Sequence, residues 1–481
     1  MLSTLKRFFQ DTLIYGFATV FPRLMNFVLV PLHTDVLPAE EYSVNTVFYV
    51  WAAFFNVLLT YGMETSFFRF FSRAKESSSV FSTAFIALTI TTVLFATGVF
   101  IFQEELIALM DLDPFYFRLL FSVLVLDTLV VVPFAYLRAT GRSLKFASIK
   151  VLNILVVVIL NFYFLWFVRD YPQFAPQWVL DNYGPTDIVG YIFIANLAAS
   201  AVTFLLLLPY FFRTKISFDT AVFKQMWKYG WPIMVAGIAF VINENLDKLL
   251  IKDMISDEIM GAYSGCYKLA VFMTIFVQAF KMGAEPFFFN HADKDNAKET
   301  YADILKYFVI SGSIIFLVLV CFIDFFKALV IRDPEYWMAI SIVPIILLAN
   351  LFLGIYHNLS VWYKLTDRTR TGMYISILGA IITIVLNLAL IPVLGFIAAA
   401  WATLFAYGSM MLVSYFLGKK YYPVPYDIKK ITGYISLSVL IGAISFYVFP
   451  GNYFVGIPLL LLFIGIVYFS EKDQILKIIQ S

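Results

Sequence analysis

The chain has 481 residues, of which 61% are hydrophobic, 19% aromatic and only 14% charged. Soluble domains average about 45–50% apolar and about 25% charged residues, so this composition excludes an ordinary soluble enzyme. With 34 Lys and Arg against 32 Asp and Glu the net charge is +2, which points to neither a nucleic-acid partner nor an acidic solvating tail.

A membrane-spanning helix needs about 20 mostly apolar residues. Along the chain fourteen stretches qualify. The first six are roughly 12–32, 44–63, 81–102, 116–137, 149–168 and 188–211. The next six are roughly 230–250, 262–283, 305–325, 339–361, 372–391 and 396–417, and a last pair follows at roughly 431–449 and 455–470. A tight turn is expected near Pro392–Gly395. The longest connectors, 169–187 and 284–304, are too short to fold alone. Arg23 interrupts the first apolar run and no small-x-small site follows it, so it reads as a span and not as a cleaved signal peptide. Cys266 and Cys321 lie in or beside apolar runs, which excludes a disulfide framework.

The basic residues orient these spans. With the N-terminus inside, 26 of the 34 fall on cytoplasmic connectors or span ends, and only Arg169, Lys252, Lys327 and Arg332 fall outside. Arg23, Arg118, Lys248 and Lys268 lie within spans. This is the sorting that the positive-inside rule requires, and it places both termini in the cytoplasm.

Two cytoplasmic turns are alike. Arg138-Ala-Thr-Gly-Arg142 precedes a span reaching Leu160-Asn161, and Lys364-Leu-Thr-Asp-Arg368 precedes one reaching Leu386-Asn387, all at an offset of 226. A fainter echo joins Leu37-Pro-Ala-Glu-Glu-Tyr-Ser43 to Ile255-Ser-Asp-Glu-Ile-Met-Gly261. The expected fold is an all-α polytopic membrane protein of about 14 transmembrane helices. It would comprise two six-helix bundles, 1–213 and 214–418, related by an in-membrane pseudo-twofold, with two additional helices in 419–481. Parallel repeats of this kind are a transporter architecture with the substrate path between the halves.

A charge at mid-bilayer costs about 2.5–3.5 kcal/mol on insertion scales, so such residues face a cavity or a partner. In the first span Thr12, Gly16, Thr19, Arg23 and Asn26 share one helix face. A guanidinium there suits a phosphate or diphosphate. The alternative is a bundle-stitching pair with Asp127 of the fourth span. The second span carries Asn45, Tyr49, Asn56 and Thr60 and ends at Glu64. The eighth carries Ser264, Lys268, Thr274, Gln278 and Lys281. Stripes of small and amide residues also pack membrane helices. In the seventh, Glu244 and Lys248 are spaced i, i+4 and Asp247 joins the same side. That cluster is either a coupling site for H⁺ or Na⁺, with Glu244 the deeper carboxylate, or a self-neutralised pair that snorkels to the surface.

No Walker A phosphate loop occurs, and His33, His291 and His357 are scattered without zinc-ligand spacing. No cofactor or metal is expected. Asp111-Leu-Asp113 before Pro114 reads as turn chemistry. Asp293-Lys-Asp295 lacks the glycine and final Glu of a calcium loop and reads as a solvated connector.

Fourteen spans in a six-plus-six repeat, an Arg in the first span and the Arg-x-Thr-x-Arg turn after the fourth resemble the polysaccharide (Wzx-type) flippases. These belong to the multidrug/oligosaccharidyl-lipid/polysaccharide exporter superfamily. Leu37-Pro-Ala-Glu-Glu-Tyr-Ser43 is similar to the family's Leu-Gly-x-Glu-Glu-Tyr-Gly, with Pro38 and Ser43 departing from it. Tyr61-Gly-Met-Glu-Thr-Ser-Phe-Phe-Arg69 resembles its second-helix end. The resemblance implies alternating access in a monomer of the bacterial inner membrane. The cargo would be an undecaprenyl-diphosphate-linked oligosaccharide moving to the periplasmic leaflet, alongside a polymerase and glycosyltransferases. Substrate contacts would come from Arg23, Asn26, Asn56, Lys268 and Lys248, and ion coupling from Glu244, Asp247 and Asp127. Glu64, Arg138, Arg142, Lys364 and Arg368 would form a cytoplasmic gate. A multidrug/cation antiporter or a peptidoglycan-precursor flippase are the related alternatives. A membrane glycosyltransferase or polymerase, from a different class, would need a large outer loop with catalytic carboxylates.

Overall fold

The computed structural model describes residues 2–71, 77–181, 183–184, 187–212, 217–292, 294–366 and 368–480. Among them the regular structure is entirely helical. The first long helices are α1 (Leu2–Val36), α2 (Ala39–Thr60), α3 (Ser77–Ile101), α4 (Pro114–Leu129), α5 (Ser143–Phe162), α6 (Ile188–Phe211) and α7 (Thr220–Met254). They continue as α8 (Asp257–Tyr267, resumed as Val271–His291), α9 (Ala297–Cys321), α10 (Val343–Leu359) and α11 (Thr369–Leu394). The last three are α12 (Ile397–Tyr421), α13 (Ile428–Ala443) and α14 (Tyr453–Gln480).

Among the described residues, twelve helices are long and apolar enough to cross a membrane, namely α2 to α6 and α8 to α14 with their short continuations. Fourteen such stretches were expected. The first and seventh fall in α1 and α7, each of 35 residues. At 1.5 Å per residue these are about 50 Å long, well beyond the ~30 Å hydrocarbon core, but they are not among the twelve. Helix α7 carries Glu244, Asp247 and Lys248 toward the end of its apolar run, and Lys224 and Lys228 ahead of it.

Local chemistry sets many boundaries. Asp113 caps α4 by accepting from the Phe115 amide at 2.7 Å, with Pro114 at the first helical position, so the Asp111–Asp113 segment is turn chemistry. Asp187 and Ser256 cap α6 and α8 in the same way. Helix α2 breaks at Tyr61 and Gly62, both with positive φ (34° and 72°), and resumes as a short helix Met63–Phe71. The expected tight turn between α11 and α12 is made at Gly395, φ 67°.

By contacts the chain divides into two compact units, Met1–Leu249 and Leu250–Ser481. The sequence boundary expected at 213/214 lies outside the described residues, as does Asp293. In the first unit α5 packs on α1 and α6, and α4 on α2 and α6. Met226, from the start of α7, is wholly buried in a core with Tyr61, Met63, Phe67 and Phe81. In the second unit α12 packs on α10 and α11, and α9 on α10 and α13.

The two units repeat local hydrogen bonds at the offsets read in the sequence. Thr140 donates its hydroxyl to the Tyr136 carbonyl and Thr366 to that of Trp362, both at 2.8 Å. The Arg142 amide donates to the Leu137 carbonyl at 2.9 Å, and the Arg368 amide to Tyr363 at 2.8 Å. Asn161 and Asn387 each bond back four residues, at 2.8 and 2.7 Å. The weaker echo holds too. Leu37 and Ile255 close their helices on His33 and Ile251, and Tyr42 and Met260 open the next on Pro38 and Ser256.

Candidate functional site

The first unit encloses a cavity of about 340 Å³ among α2, α4, α5 and α6. Its lining is polar: Asn56, Glu64, Asp127, Lys150, Asn196 and Ser200 all contribute. Asp127 sits thirteen residues into α4, about 20 Å along a helix that rises 1.5 Å per residue, and so deep in a spanning segment. The Ser200 hydroxyl of α6 and the Lys150 ammonium of α5 line the same cavity beside it, within electrostatic reach of its carboxylate. Lys150 also lies within electrostatic reach of Glu64 and Arg138, and its ammonium stands 4.3 Å from the centre of the Phe134 ring. Two acids thus balance two bases in and around one cavity. A charge inside a membrane segment is tolerated by such pairing or by water.

Further hydrogen bonds fix the wall. Asn153 donates to Thr203 at 3.0 Å, joining α5 to α6. Asn196 donates to the Tyr49 hydroxyl at 2.6 Å and to the Ile192 carbonyl at 2.8 Å, joining α6 to α2. Glu64 and Arg138 form an ion pair at 2.8 Å, with both side chains about half exposed. Arg138 also stacks on Phe68, 4.7 Å from its centre.

Of the predicted residues, Asn56, Glu64 and Asp127 line this cavity and Arg138 pairs with Glu64. Arg142 approaches the Tyr210 hydroxyl at 3.3 Å in the same unit. Arg23 and Asn26 are exposed on α1 and lie outside the cavity lining. Among the described residues no carboxylate pairs with Arg23, so the suggested Arg23–Asp127 stitch is not made. Asp127 instead shares its cavity with Lys150, which lies within electrostatic reach. In the α7 cluster Asp247 and Lys248 form a buried pair: they are 1% and 7% exposed, and the ammonium lies 3.1 Å from the carboxylate. It also donates to the Glu244 carbonyl at 2.5 Å. Lys268, Lys364 and Arg368 belong to the second unit. There Lys268 opens a short 3-10 turn within α8, Lys364 stands beside His357 and Lys281 at a small cleft, and Arg368 stacks 3.8 Å above Tyr421.

Sequence reading missed Lys150, Asn153, Asn196, Ser200 and Thr203. Lys150 was counted with a cytoplasmic connector, yet it lies seven residues into α5 and points into the cavity. The signal available was its place after Phe146 and Ile149, already inside the apolar run.

The chain matches the family described as Polysaccharide biosynthesis protein over residues 8–291 and the family MatE over residues 232–389. No curated protein sequence matches it. Among solved structures it is similar to the lipid II flippase MurJ in an inward closed conformation. That likeness has a TM-score of 0.71 and 16% identity, over 96% of this chain and 100% of the other. An inward-facing multidrug resistance MATE transporter of the MOP superfamily aligns with a TM-score of 0.64 and 13% identity, over 83% and 94% of the two chains. The Vibrio cholerae MATE transporter VcmN (D35N mutant) gives 0.60 and 14%, over 87% and 97%. At these identities the likeness is one of fold: the exporter fold of that superfamily.

Proposed function

Because this chain belongs to the polysaccharide biosynthesis protein family, we propose that it is a flippase for lipid-linked oligosaccharide. On this reading it moves an undecaprenyl-diphosphate-linked glycan from the cytoplasmic to the periplasmic leaflet of a bacterial inner membrane by alternating access. Both termini are cytoplasmic, as the basic residues of the sequence require. The observation that carries the proposal is the Asp127–Lys150 neighbourhood on a membrane-embedded cavity of about 340 Å³. Inside a membrane segment, ionisable residues mark substrate or ion pathways. The amides and hydroxyls around them offer the donors and acceptors that a sugar uses.

Arg23 supplies a cation for the diphosphate, because its guanidinium is exposed and no described carboxylate occupies it. Coupling follows from Asp127: uptake of H⁺ or Na⁺ there neutralises the carboxylate and releases Lys150 from its partner. Lys268 extends the cationic path. A polymerase and glycosyltransferases act on the same glycan before and after it is moved.

The test is complementation of a strain lacking this gene. Arg23→Ala and Asp127→Asn should abolish surface polysaccharide while the protein still reaches the membrane. Wild-type surface glycan in both variants would overturn the proposal. A second reading, export of cationic drugs, is favoured by the acids Glu64 and Asp127 on the cavity. It predicts resistance to cationic dyes that Asp127→Asn abolishes, with surface glycan untouched.

A further inference from the structure

A second cavity of the first unit, about 660 Å³, lies between α3 and α4 at the end of the bundle where α3 stops and α4 begins. Its volume is in the range of small-molecule sites, about 300–1,000 Å³, and its character differs from the polar cavity. Phe95, Val99, Phe117, Phe121 and Leu126 make the walls. The rings pack into a continuous floor: Phe95 and Phe121 have centroids 5.6 Å apart and Phe117 and Phe121 4.5 Å, with Phe55 of α2 behind them at 5.5 and 5.3 Å. The outward face of α3 is apolar and open, Phe100 being 75% exposed.

One cation sits in this apolar groove. Arg118 lies four residues into α4, about 6 Å from its start, beside Gln103 and Ser122. Its Nε donates to the Pro114 carbonyl at 3.1 Å, while Ser122 bonds to the Arg118 carbonyl. Among the described residues no carboxylate pairs with it, and its two terminal nitrogens make no hydrogen bond. Arg118 is one of the four charges that the sequence places within a span, and the transport reading has no use for it. A guanidinium with two free forks matches a phosphate oxygen pair, and an apolar slot running from it along the helices matches an acyl chain.

We propose that the α3–α4 groove is a binding site for an anionic phospholipid of the surrounding membrane. The phosphate sits on Arg118 and one acyl chain lies over the Phe95–Phe121 floor. The inference is independent of the cargo, since the groove shares no lining residue with the polar cavity.

Native mass spectrometry of the purified full-length protein tests it, with phosphatidylglycerol as the probe. Phosphatidylcholine, which is zwitterionic, and diacylglycerol, which lacks the phosphate, are the comparators. Wild-type protein should retain one phosphatidylglycerol at least about tenfold more tightly than diacylglycerol, since hydrogen bonds to charged groups are the strong ones, and more tightly than phosphatidylcholine, whose choline cation offsets the phosphate charge that Arg118 meets. Arg118→Gln should lose that preference and Arg118→Lys keep part of it. Ala96→Phe, which fills the groove without touching the cation, should lower binding of phosphatidylglycerol and diacylglycerol alike. Equal retention of phosphatidylglycerol by wild type, Arg118→Gln and Ala96→Phe would mean ordinary annular lipid and overturn the proposal. So would equal affinity for phosphatidylglycerol and diacylglycerol.

Discussion

Gly62 and Gly230 meet backbone to backbone: a Cβ on Gly62 would stand 2.5 Å from the Gly230 carbonyl oxygen, and one on Gly230 would stand 2.9 Å from the Tyr61 carbonyl. The contact lets the start of α7 lie against the break in α2, where Ser66 also donates to the Met226 carbonyl at 3.0 Å. Gly62 carries φ 72° as well, a conformation that side chains disfavour. Gly62→Ala therefore meets two penalties, strain and overlap, together about 1–3 kcal/mol or more. Gly98→Ala on α3, where nothing lies within 4 Å, should leave stability unchanged or slightly raised. Thermal unfolding of the detergent-solubilised variants measures the difference. Equal melting temperatures would show that the close approach is not maintained.

Asp127 and Lys150 should be coupled. Removing Lys150 leaves the Asp127 carboxylate without its neighbouring cation in a low-dielectric bundle, which costs up to about 3–5 kcal/mol for buried groups and less where cavity water reaches it, whereas Lys150 without Asp127 keeps Glu64 within electrostatic reach. Lys150→Met alone should reduce the yield of monodisperse protein, and adding Asp127→Asn should recover it. Size-exclusion profiles of the two single variants and the double variant decide this. Additive losses would mean that the two groups do not interact.

The Glu64–Arg138 pair is half exposed, and exposed pairs contribute about 0–1 kcal/mol. Glu64→Gln should then barely change the melting temperature. If the pair belongs to a gate, the same variant should change the transport rate, and the exchanged pair Glu64→Arg/Arg138→Glu should restore it. A rate unchanged in all three proteins would remove this pair from the gate.

Glu471 ties α14 to the second unit. It is fully buried, Lys306 is 4% exposed, and their charged atoms are 3.0 Å apart. Lys430 reaches the other carboxylate oxygen at 2.8 Å, and the Tyr434 hydroxyl donates to it at 2.6 Å. Glu471→Gln removes the buried carboxylate from Lys306, while the Asp303 carboxylate 3.2 Å away is exposed. The expected loss is about 3–5 kcal/mol, read as a lower melting temperature, whereas Glu299→Gln at an exposed position near the start of α9 should change little. Limited proteolysis should cut Glu471→Gln near α13 and α14 first. An unchanged digestion pattern would show that the last helix is held by its apolar face alone.

What is local, or nearly so, is legible from the residues alone. A run of about 20 apolar residues needs no distant partner to be a span, so twelve of the fourteen stretches reappear as apolar helices long enough to cross. The other two stretches fall in α1 and α7. The Thr140 and Thr366 turns, the Asp113 cap and the Gly395 turn were legible for the same reason, since each is closed by bonds within five residues. The candidate site was legible only in part. Asn56, Glu64 and Asp127 stood out as polar residues on apolar helices, but nothing in the sequence says which helix turns toward which. Lys150 looked like one more cytoplasmic lysine, and Asp127 had Arg23 as its most visible partner. Helix packing places Asp127 beside other groups, because bringing Lys150, 23 residues on, and Ser200, 73 residues on, to the same cavity as Asp127 depends on the rotation of α4, α5 and α6 about their axes. Apolar membrane helices fix that rotation by packing, and the hydropathy of each one alone leaves it free. The near-zero net charge shows the same division: its sorting along the chain gives the expected orientation, but the helix packing selects which charges meet in a cavity.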